Sequence, residues 1–350
     1  MPLKIILRAL VVSIFCLILM SCKTSAPTSS AGTTLYPFIQ DNKVGFVNNK
    51  LDTEIPAKFR FLNSRLWPYE FSEGLAAVNF LGRIGYINRQ GEVVIEPNFD
   101  HGGPFRDGTA QIRVNGQYGF IDRSGDMIIE PQFDKATQFS EGLAAVKDHN
   151  RSQWGYINRS GDMVIPEQFS AAKGFREGLA LVQTQKHNEW GYINTNGAIT
   201  IDAQYTAAKS FAEGLAPVQL GFKQWGYINR NGAVIIESQY REAQPFSEDK
   251  AVVAMPVDEN NLDKKKYGFI NRRGEFIIEP QFDHASAFHN GLARIKKDGK
   301  YGFIDGRGNM VADPIYDRAW NFHGDMAMVK LDNKYGYINK QGIFVLEPVS

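Results

Sequence analysis

One pattern of apolar and polar residues recurs along this chain from about residue 35 to residue 350. Residues 154–182, WGYINRSGDMVIPEQFSAAKGFREGLALV, show it most clearly. An aromatic-glycine pair opens the pattern, an Asn-x-x-Gly turn follows, and an apolar run then ends near a proline. A Phe-x-x-Ala-x-x-Phe segment and a Glu-Gly-Leu-Ala-x-Val run close it. Such recurrence predicts one continuous repeat array rather than two separate domains.

The spacing of the opening glycine gives the length of the repeat. Nine such glycines are separated by steps of 40, 34, 36, 36, 35, 42, 34 and 34 residues. The residue before the glycine is Trp or Tyr in seven of the nine copies. The pairs that define the repeat contain Gly85, Tyr118, Gly119, Trp154, Gly155, Trp190, Gly191, Trp225, Gly226, Tyr267, Gly268, Tyr301, Gly302, Tyr335 and Gly336.

Each repeat has the pattern of short strands joined by turns. Gly-Tyr-Ile-Asn is aromatic and β-branched, and the Asn-Arg-Ser-Gly of residues 158–161 has the chemistry of a hairpin turn. Residues 163–165 predict the return strand, and Glu-Gly at 177–178 predicts a second turn before a strand at 179–182. The Phe-x-x-Ala-x-x-Phe segment predicts either a short outer strand or a single helical turn. Because proline cannot donate within a ladder, we expect the return strands to end at Pro97, Pro131, Pro166 and Pro280.

These elements predict an all-β tandem array of about nine units of about 35 residues, similar to a β-propeller. Short antiparallel strands suit a propeller blade, although nine openings exceed the usual four to eight blades. The last repeat stops at residues 347–348, before its Phe-x-x-Ala-x-x-Phe segment, and the N-terminus offers no evident replacement. An open β-solenoid or spiral of stacked hairpins is therefore the alternative.

Residues 1–21 have the pattern of a bacterial secretory signal. Lys4 and Arg8 precede or border an apolar run at residues 9–20, which is shorter than a transmembrane helix requires but has the length of a signal-peptide core. The Leu-Met-Ser-Cys of residues 19–22 resembles the lipobox of bacterial lipoproteins, which implies cleavage before Cys22 and its lipidation. The alternative is a plain secreted protein or an uncleaved anchor. Residues 22–34 are rich in Ser, Thr, Ala and Pro and predict a flexible tether, so that residues 35–350 form the repeat domain. Lys23 stands where Asp would suggest inner-membrane retention, which favours the outer membrane.

The Trp-Gly and Tyr-Gly pairs resemble the bacterial WG-repeat family (KWG type) over roughly residues 35–350. No Gly-x-Ser-x-Gly elbow, His-Glu-x-x-His, P-loop or dinucleotide fingerprint occurs in the sequence. Cys22 is the only cysteine left after cleavage. The prediction is a protein without catalytic residues, cofactor or metal. The histidines, which occupy unlike positions, are interpreted as scattered surface residues: His101, His149, His187, His284, His289 and His323.

Two charged columns recur at the turns. The acidic column is expected to accept hydrogen bonds within its own turn, the alternative being that stacked carboxylates bind cations or act as a paired acid and base. It comprises Glu73, Asp107, Glu141, Glu177, Glu213 and Glu248, with breaks at Asn290 and Gly324. The basic column stands at the hairpin tips and is a candidate binding rim for an anionic partner, the alternative being solvated turn positions. It comprises Arg89, Arg123, Arg159, Arg230, Arg272 and Lys340, with breaks at Thr195 and Gly306. The aromatic-glycine pairs are interpreted as core, or else as platforms that stack sugar rings.

The charge balance limits the class of partner. Thirty-nine basic residues against 38 acidic ones give a net charge of +1, whereas nucleic-acid binders show a clear basic excess. We therefore expect a monomeric cell-envelope lipoprotein, held in the membrane by the lipid on Cys22, whose repeats bind or scaffold an envelope protein. Binding of a cell-wall glycan or another anionic polymer is the alternative, and an envelope hydrolase is a third hypothesis.

Overall fold

The computed structural model describes residues 34–60, 70–148, 152–185, 188–221, 224–258, 261 and 264–349. These residues form 32 β-strands and no helix. In this part of the chain there is accordingly no helix long and apolar enough to cross a membrane. The predicted signal peptide, Cys22 and the tether up to residue 33 lie outside the described residues.

The strands fall into nine consecutive antiparallel units, numbered 1 to 9 along the chain. Units 1 to 3 contain β1 (Tyr36–Gln40), β2 (Lys43–Val47), β3 (Thr53–Arg60), β4 (Ala76–Phe80), β5 (Arg83–Ile87), β6 (Val93–Phe99), β7 (His101–Gly102), β8 (Thr109–Val114) and β9 (Gln117–Asp122). Units 3 and 4 share β10 (Met127–Ala136).

Units 4 to 6 contain β11 (Ala144–Asp148), β12 (Trp154–Ile157), β13 (Met163–Phe169), β14 (Ala171–Ala172), β15 (Leu179–Gln183), β16 (Trp190–Asn194), β17 (Ile199–Tyr205), β18 (Leu215–Gly221), β19 (Gln224–Asn229) and β20 (Val234–Tyr240). Units 7 to 9 contain β21 (Glu242–Ala243), β22 (Ala251–Pro256), β23 (Lys265–Ile270), β24 (Phe276–Phe282), β25 (His284–Ala285), β26 (Leu292–Lys297), β27 (Lys300–Asp305), β28 (Met310–Tyr316), β29 (Arg318–Ala319), β30 (Met326–Leu331), β31 (Lys334–Asn339) and β32 (Phe344–Val349).

Strand order within a unit follows the chain. In unit 5 it is β14-β15-β16-β17, and units 7, 8 and 9 repeat this order. The last strand of each unit exposes apolar side chains, such as Val164 and Ile199, and forms the outer edge. The two-residue strand lies at the opposite, inner edge. The Phe-x-x-Ala-x-x-Phe segment thus leads from an outer strand to the inner strand of the next unit: Phe169 ends β13, and Ala171–Ala172 form β14. The prediction that the segment forms an outer strand or a helical turn was wrong.

The outer strand bends over the opening glycine. In unit 4 the register between β12 and β13 shifts after Trp154, so that Trp154 pairs with Phe169 whereas Tyr156 pairs with Ile165. A Cβ on Gly155 would lie 2.7 Å from the carbonyl oxygen of Ile165, and therefore only glycine fits. The outer strands also continue through proline: β13 contains Pro166, and β6, β10 and β24 contain Pro97, Pro131 and Pro280. The expectation that proline ends them was wrong, because an irregular edge strand tolerates a residue without an N–H.

The hydrophobic core consists of clusters that lie between successive units. Tyr156 of unit 4 is fully buried, and its ring centroid lies 5.1 Å from that of Phe175 in unit 5. The Tyr156 hydroxyl donates a hydrogen bond to the carbonyl oxygen of Lys173, also in unit 5, at 2.9 Å. Equivalent Tyr or Phe pairs join units 2 and 3, 5 and 6, and 6 and 7. The described part of the chain contains nine such clusters.

Nine units with nine shared clusters form a closed ring. The ninth cluster joins Tyr36 and Val47 of unit 1 to Met326, Met328 and Tyr337 of unit 9. The Tyr337 hydroxyl donates to the carbonyl oxygen of Pro37 at 2.6 Å, which repeats the bond from Tyr156 to the next unit. The propeller-like prediction is confirmed, and the open array is not observed. The Tyr36 ring packs against Tyr337 with their centroids 5.8 Å apart, as Phe175 packs against Tyr156. Tyr36 therefore replaces the missing final phenylalanine in this contact, and the expectation that the N-terminus offers no replacement was wrong.

Candidate functional site

The turn after each inner strand carries the acidic column. Glu141 and Gly142 both have positive φ, 54° and 83°, and backbone hydrogen bonds between Ser140 and Leu143 close the turn. A left-handed conformation is costly for a residue with a side chain. Every member of the acidic column nevertheless adopts it, with φ between 51° and 55°. A compensating interaction of the carboxylate is therefore expected.

That interaction is a hydrogen bond to the next unit. Oε2 of Glu141 accepts the backbone N–H of Gly178 at 2.9 Å, and Oε2 of Glu73 accepts that of Gly108 at 3.0 Å. Glu177, Glu213 and Glu248 bind the following turns in the same way, through Gly214, Asp249 and Gly291. The prediction that each carboxylate serves its own turn was wrong: the acidic column ties neighbouring units together. The sequence could not show this, because the acceptor and donor lie about one repeat apart.

The basic column lies on the same face of the ring as the acidic turns, which we call the turn face. Nη2 of Arg123 in unit 3 donates to the carbonyl oxygen of Glu73 in unit 2 at 2.8 Å. Arg159 lies 3.8 Å from the Asp107 carboxylate. Arg272 approaches the turn of unit 6 in the same way and lies 3.7 Å from Glu213. Arg230 approaches the turn of unit 5, where its Nη2 atom lies 3.2 Å from the position that a Cβ on Gly178 would occupy. We call this contact, from the tip of one unit to the acidic turn of the unit before it, the latch.

At the two ends of the basic column and at its two breaks, the latch contact is absent or is replaced by another contact. At Gly306 the latch is replaced by Lys250, whose Nζ donates to the carbonyl oxygen of Glu248 at 3.2 Å. Lys340 pairs instead with Asp325 of its own unit at 3.2 Å. The guanidinium of Arg89 lies 5.8 Å from the centroid of the Phe71 ring. At Thr195 an open notch of about 510 Å³ separates the tip from the acidic turn of unit 4.

A cavity of about 770 Å³ opens among the acidic turns of units 2 to 6. Its volume is typical of ligand sites. Its walls are polar and come from the inner strands and the turns that follow them. Its cations are Arg106, Lys173 and Arg176, its anions are Glu73, Asp107 and Glu141, and its hydroxyl groups belong to Ser72, Thr137, Ser140 and Ser210.

Sequence reasoning did not identify these cavity cations. Arg106 and Arg176 precede the acidic residue of their turns, where other units have Ser, Ala or His. Lys173 stands two residues before the buried Phe175. Where this position is Ser, its hydroxyl donates to the carbonyl oxygen of a phenylalanine in the next unit, as Ser140 does to Phe175 at 2.7 Å. The signal in the sequence was the replacement of this Ser by Arg in two units while the neighbouring residues recur. It becomes interpretable only once the inner edge of the ring is known.

The aromatic-glycine pairs lie at the opposite end of the strands. Their rings pack against the clusters between units, as Trp154 and Trp190 do. Cations of the same unit cover several of them at 5.1 to 5.4 Å from the ring centroid: Arg113 over Tyr118, Lys209 over Trp225, Lys296 over Tyr301 and Lys330 over Tyr335. The geometry agrees with the interpretation of these pairs as core.

A second polar cluster lies between units 6 and 7. Glu242 accepts hydrogen bonds from Lys265 at 2.8 Å and from the Tyr267 hydroxyl at 2.7 Å, and Lys209 donates to Gln244 at 2.8 Å. Burial acts to raise the pKa of Glu242, but the bonds from Lys265 and Tyr267 and the nearby cations hold that pKa below its ordinary value. Burial lowers the pKa of Lys209. Because these groups are paired with one another, the cluster joins units rather than offering a site.

The described histidines occupy two repeated positions rather than unlike ones. His101 and His284 begin the inner strands β7 and β25, and burial lowers the pKa of both. His289 and His323 each precede the turn residue of the acidic column. His149 and His187 lie outside the described residues. Among the described residues no group of three or more His, Cys, Asp or Glu side chains could hold a metal ion.

The repeat that builds this ring matches a known family. The family model of the WG containing repeat matches seven times, at residues 84–118, 118–151, 154–186, 190–221, 225–255, 267–301 and 301–335. The chain belongs to the WG-repeat family. Each match begins in the strand that carries the aromatic-glycine pair and ends at or shortly before the same strand of the next unit. Together the matches extend from β5 in unit 2 to the start of β31 in unit 9.

Solved structures resemble the WG-repeat ring in fold. A crystal structure of a eukaryotic initiation factor has a TM-score of 0.62 at 11% identity, over 89% of this chain and 95% of that chain. Dihydro-heme d1 dehydrogenase NirN in complex with DHE has a TM-score of 0.49 at 12% identity, over 91% of this chain and 72% of that chain. At such identities the first similarity shows the fold alone. No curated protein matches the chain.

Proposed function

We propose that this WG-repeat chain is a non-catalytic scaffold of the cell envelope, which binds an acidic segment of a partner protein in the central cavity of its turn face. A lipid on Cys22 holds it at the membrane, with the outer membrane favoured. The observation that carries the proposal is the cavity of about 770 Å³, in which the acidic groups are satisfied by the ring and the basic groups are not.

The cavity acids are already engaged. Glu73 and Glu141 each accept a backbone N–H of the next turn, at 3.0 and 2.9 Å. Asp107 lies 3.8 Å from Arg159. These carboxylates therefore hold the ring together, and the hydrogen bonds and cations that they contact there reduce their repulsion of an anionic ligand in the cavity.

The cavity cations have no such partner. Within the described residues, the side chains of Arg106, Lys173 and Arg176 make no hydrogen bond or ion pair. All three are exposed to solvent. Guanidinium groups bind carboxylates in a bidentate geometry, and several weak contacts of this kind add up when they act together. A segment carrying two or three carboxylates is therefore the chemistry that these side chains recognise.

The basic rim expected from the sequence has a secondary part in this proposal. Arg123 donates to a backbone carbonyl oxygen, and Arg159 and Arg272 approach carboxylates, so these three side chains are already engaged within the ring. Arg123 and Arg159 contact Glu73 and Asp107, which line the cavity, and therefore add positive potential at its edge. An extended partner could contact them after its acidic segment has entered the cavity.

The test measures binding of a fluorescent octaglutamate peptide to the full mature protein at two salt concentrations. We expect saturable binding that weakens as salt rises, because exposed charges are screened. The double variant Arg106→Glu/Arg176→Glu should lose at least tenfold in affinity. Arg273→Glu is the matched control, since Arg273 is an exposed tip residue that does not line the cavity. No binding by the wild type, or an equal loss in the control, would contradict the proposal.

Binding of an anionic polymer is the second candidate function, and the same three cations favour it. The two functions separate in a competition between octaglutamate and purified cell-wall polysaccharide. If the polysaccharide displaced the labelled peptide at a lower concentration of charged groups than unlabelled octaglutamate does, polymer binding would be favoured. A multiple-turnover activity of the pure protein that one point substitution abolishes would overturn the non-catalytic assignment.

A further inference from the structure

We propose that the notch at Thr195 is a binding site for an arginine side chain supplied by a partner protein. The site lies between the acidic turn of unit 4 and the hairpin tip of unit 5. It lies beside the cavity of the proposed function but is a different site with the opposite charge preference. The two proposals can therefore succeed or fail independently.

Other units show what belongs at this position. Nη2 of Arg123 reaches the carbonyl oxygen of Glu73 at 2.8 Å, and Arg159 lies 3.8 Å from Asp107. Arg272 lies 3.7 Å from Glu213. In each case a guanidinium from one tip contacts the acidic turn of the unit before it. The acidic turn of unit 4 has the same conformation, with Glu141 at φ 54° and Gly142 at φ 83°.

Unit 5 does not supply this guanidinium. Its tip has Thr195 where the others have arginine, and a threonine side chain is too short to span the gap. The notch of about 510 Å³ is lined by Glu141, Gly142, Leu143, Val164, Thr195 and Asn196, none of which is basic. The tip and the acidic turn that the latch joins elsewhere are thus both present, but no residue that lines the notch supplies the cation.

The other break in the basic column shows that the acidic turn favours a cation. At Gly306 the tip has no side chain, and Lys250 of the turn itself folds back onto the Glu248 carbonyl oxygen at 3.2 Å. A Cβ on Gly306 would lie 3.4 Å from Cε of Lys250, so the lysine fills the space that the tip leaves. The residue of unit 4 that corresponds to Lys250 is Leu143, which cannot do this.

The lining favours guanidinium over ammonium. Glu141 offers a carbonyl oxygen and a carboxylate from one residue, which suits the planar fork of arginine. Leu143 and Val164 form an apolar wall, and Val164 is 43% exposed. A guanidinium is more weakly hydrated than an ammonium group and packs its face against such a surface at lower cost.

The test follows backbone amide signals of Gly142 and Thr195 by NMR in the full mature chain during titration with arginine amide. We expect a saturable shift of these signals, and at least fivefold weaker binding of lysine amide. Thr195→Arg should abolish the shift, because the chain then supplies its own guanidinium. This substitution is at an exposed tip, and so it should not disturb folding.

Arg123→Thr is the matched control, since it recreates the same notch between units 2 and 3. Arginine amide should then also shift the signal of Gly74. No saturable shift in the wild type would overturn the proposal, whether or not the control responds. An unchanged response in Thr195→Arg would overturn it as well, because binding would then lie elsewhere.

Discussion

Closure of the ring rests on a seam that the sequence did not reveal, and one hydroxyl group tests it. Tyr337 is buried, and its hydroxyl donates to the carbonyl oxygen of Pro37, which is also buried, at 2.6 Å. Tyr337→Phe keeps the ring packing but leaves this carbonyl without its donor. The buried carbonyl oxygen would then have given up its hydrogen bonds to water without gaining one in the protein. The free energy of unfolding should therefore fall by about 1–2 kcal/mol.

An interior seam supplies the control. The Tyr192 hydroxyl donates to the carbonyl oxygen of Lys209 at 2.7 Å between units 5 and 6. Tyr192→Phe removes the same kind of bond where continuity of the chain already holds the units together. In a closed ring both substitutions should have similar costs in urea unfolding. Hydrogen exchange should accelerate in β1 and β31 for Tyr337→Phe and in β16 for Tyr192→Phe.

A clear difference in stability cost between the two variants would refute closure of the ring in solution. If Tyr337→Phe changed stability by less than about 0.3 kcal/mol while Tyr192→Phe cost about 1–2 kcal/mol, the first and last units would not be joined in solution. Tyr36→Phe gives an independent check, because its hydroxyl accepts the backbone N–H of Asp325 at 3.1 Å. Loss of exchange protection in both terminal units is expected there too.

Three further predictions concern the repeat, the polar cluster and the anchor. Gly155→Ala places a Cβ 2.7 Å from a backbone carbonyl and should cost about 3 kcal/mol or more, whereas Gly142→Ala, with nothing within 4 Å, should cost only about 1 kcal/mol in urea unfolding. The lowered pKa of Glu242 means that its stabilisation is present above the unfolded pKa and is lost as pH falls through the folded one; Glu242→Gln should flatten the fall in melting temperature below about pH 5. Cys22→Ala should release the protein from membranes or leave it unprocessed at higher mass, and a variant that fractionates and migrates like the wild type would contradict lipidation.

Local features of the repeat were predictable because they depend on neighbours in sequence. The hairpin turn at residues 158–161 has Gly161 at φ 86°, and Oδ1 of Asn158 accepts the N–H groups of Ser160 and Asp162, as its composition predicted. The second turn and the strand after it were likewise predicted. Pro166 was misjudged because its effect depends on whether a strand lies at an edge, which only the assembled sheet decides.

Contacts between units were not predictable from one repeat. The partner of the Glu141 carboxylate is 37 residues away, and that of the Tyr337 hydroxyl is 300 residues away. Periodicity shows that a residue recurs without showing which neighbour it faces. The acidic and basic columns were both recognised, yet their mutual contact appeared only in the ring. The cavity was missed for the same reason, since its walls come from five units.

Positions of the repeat that keep the same residue type hold the units together, whereas positions that change from unit to unit can serve binding. A residue that recurs in most units, such as the glutamate of the acidic turn, makes the same kind of bond at five seams and helps to hold the ring together. Arg106, Arg176 and Thr195 occupy positions that vary, although each stands beside a recurring residue. Because the ring does not require them, their identity is free to serve a ligand. They also lie close together, in units 3 to 5, around the cavity and the notch that share Glu141. A partner that presented acidic residues to the cavity and an arginine to the notch would dock in one orientation, since the other units do not combine these two features.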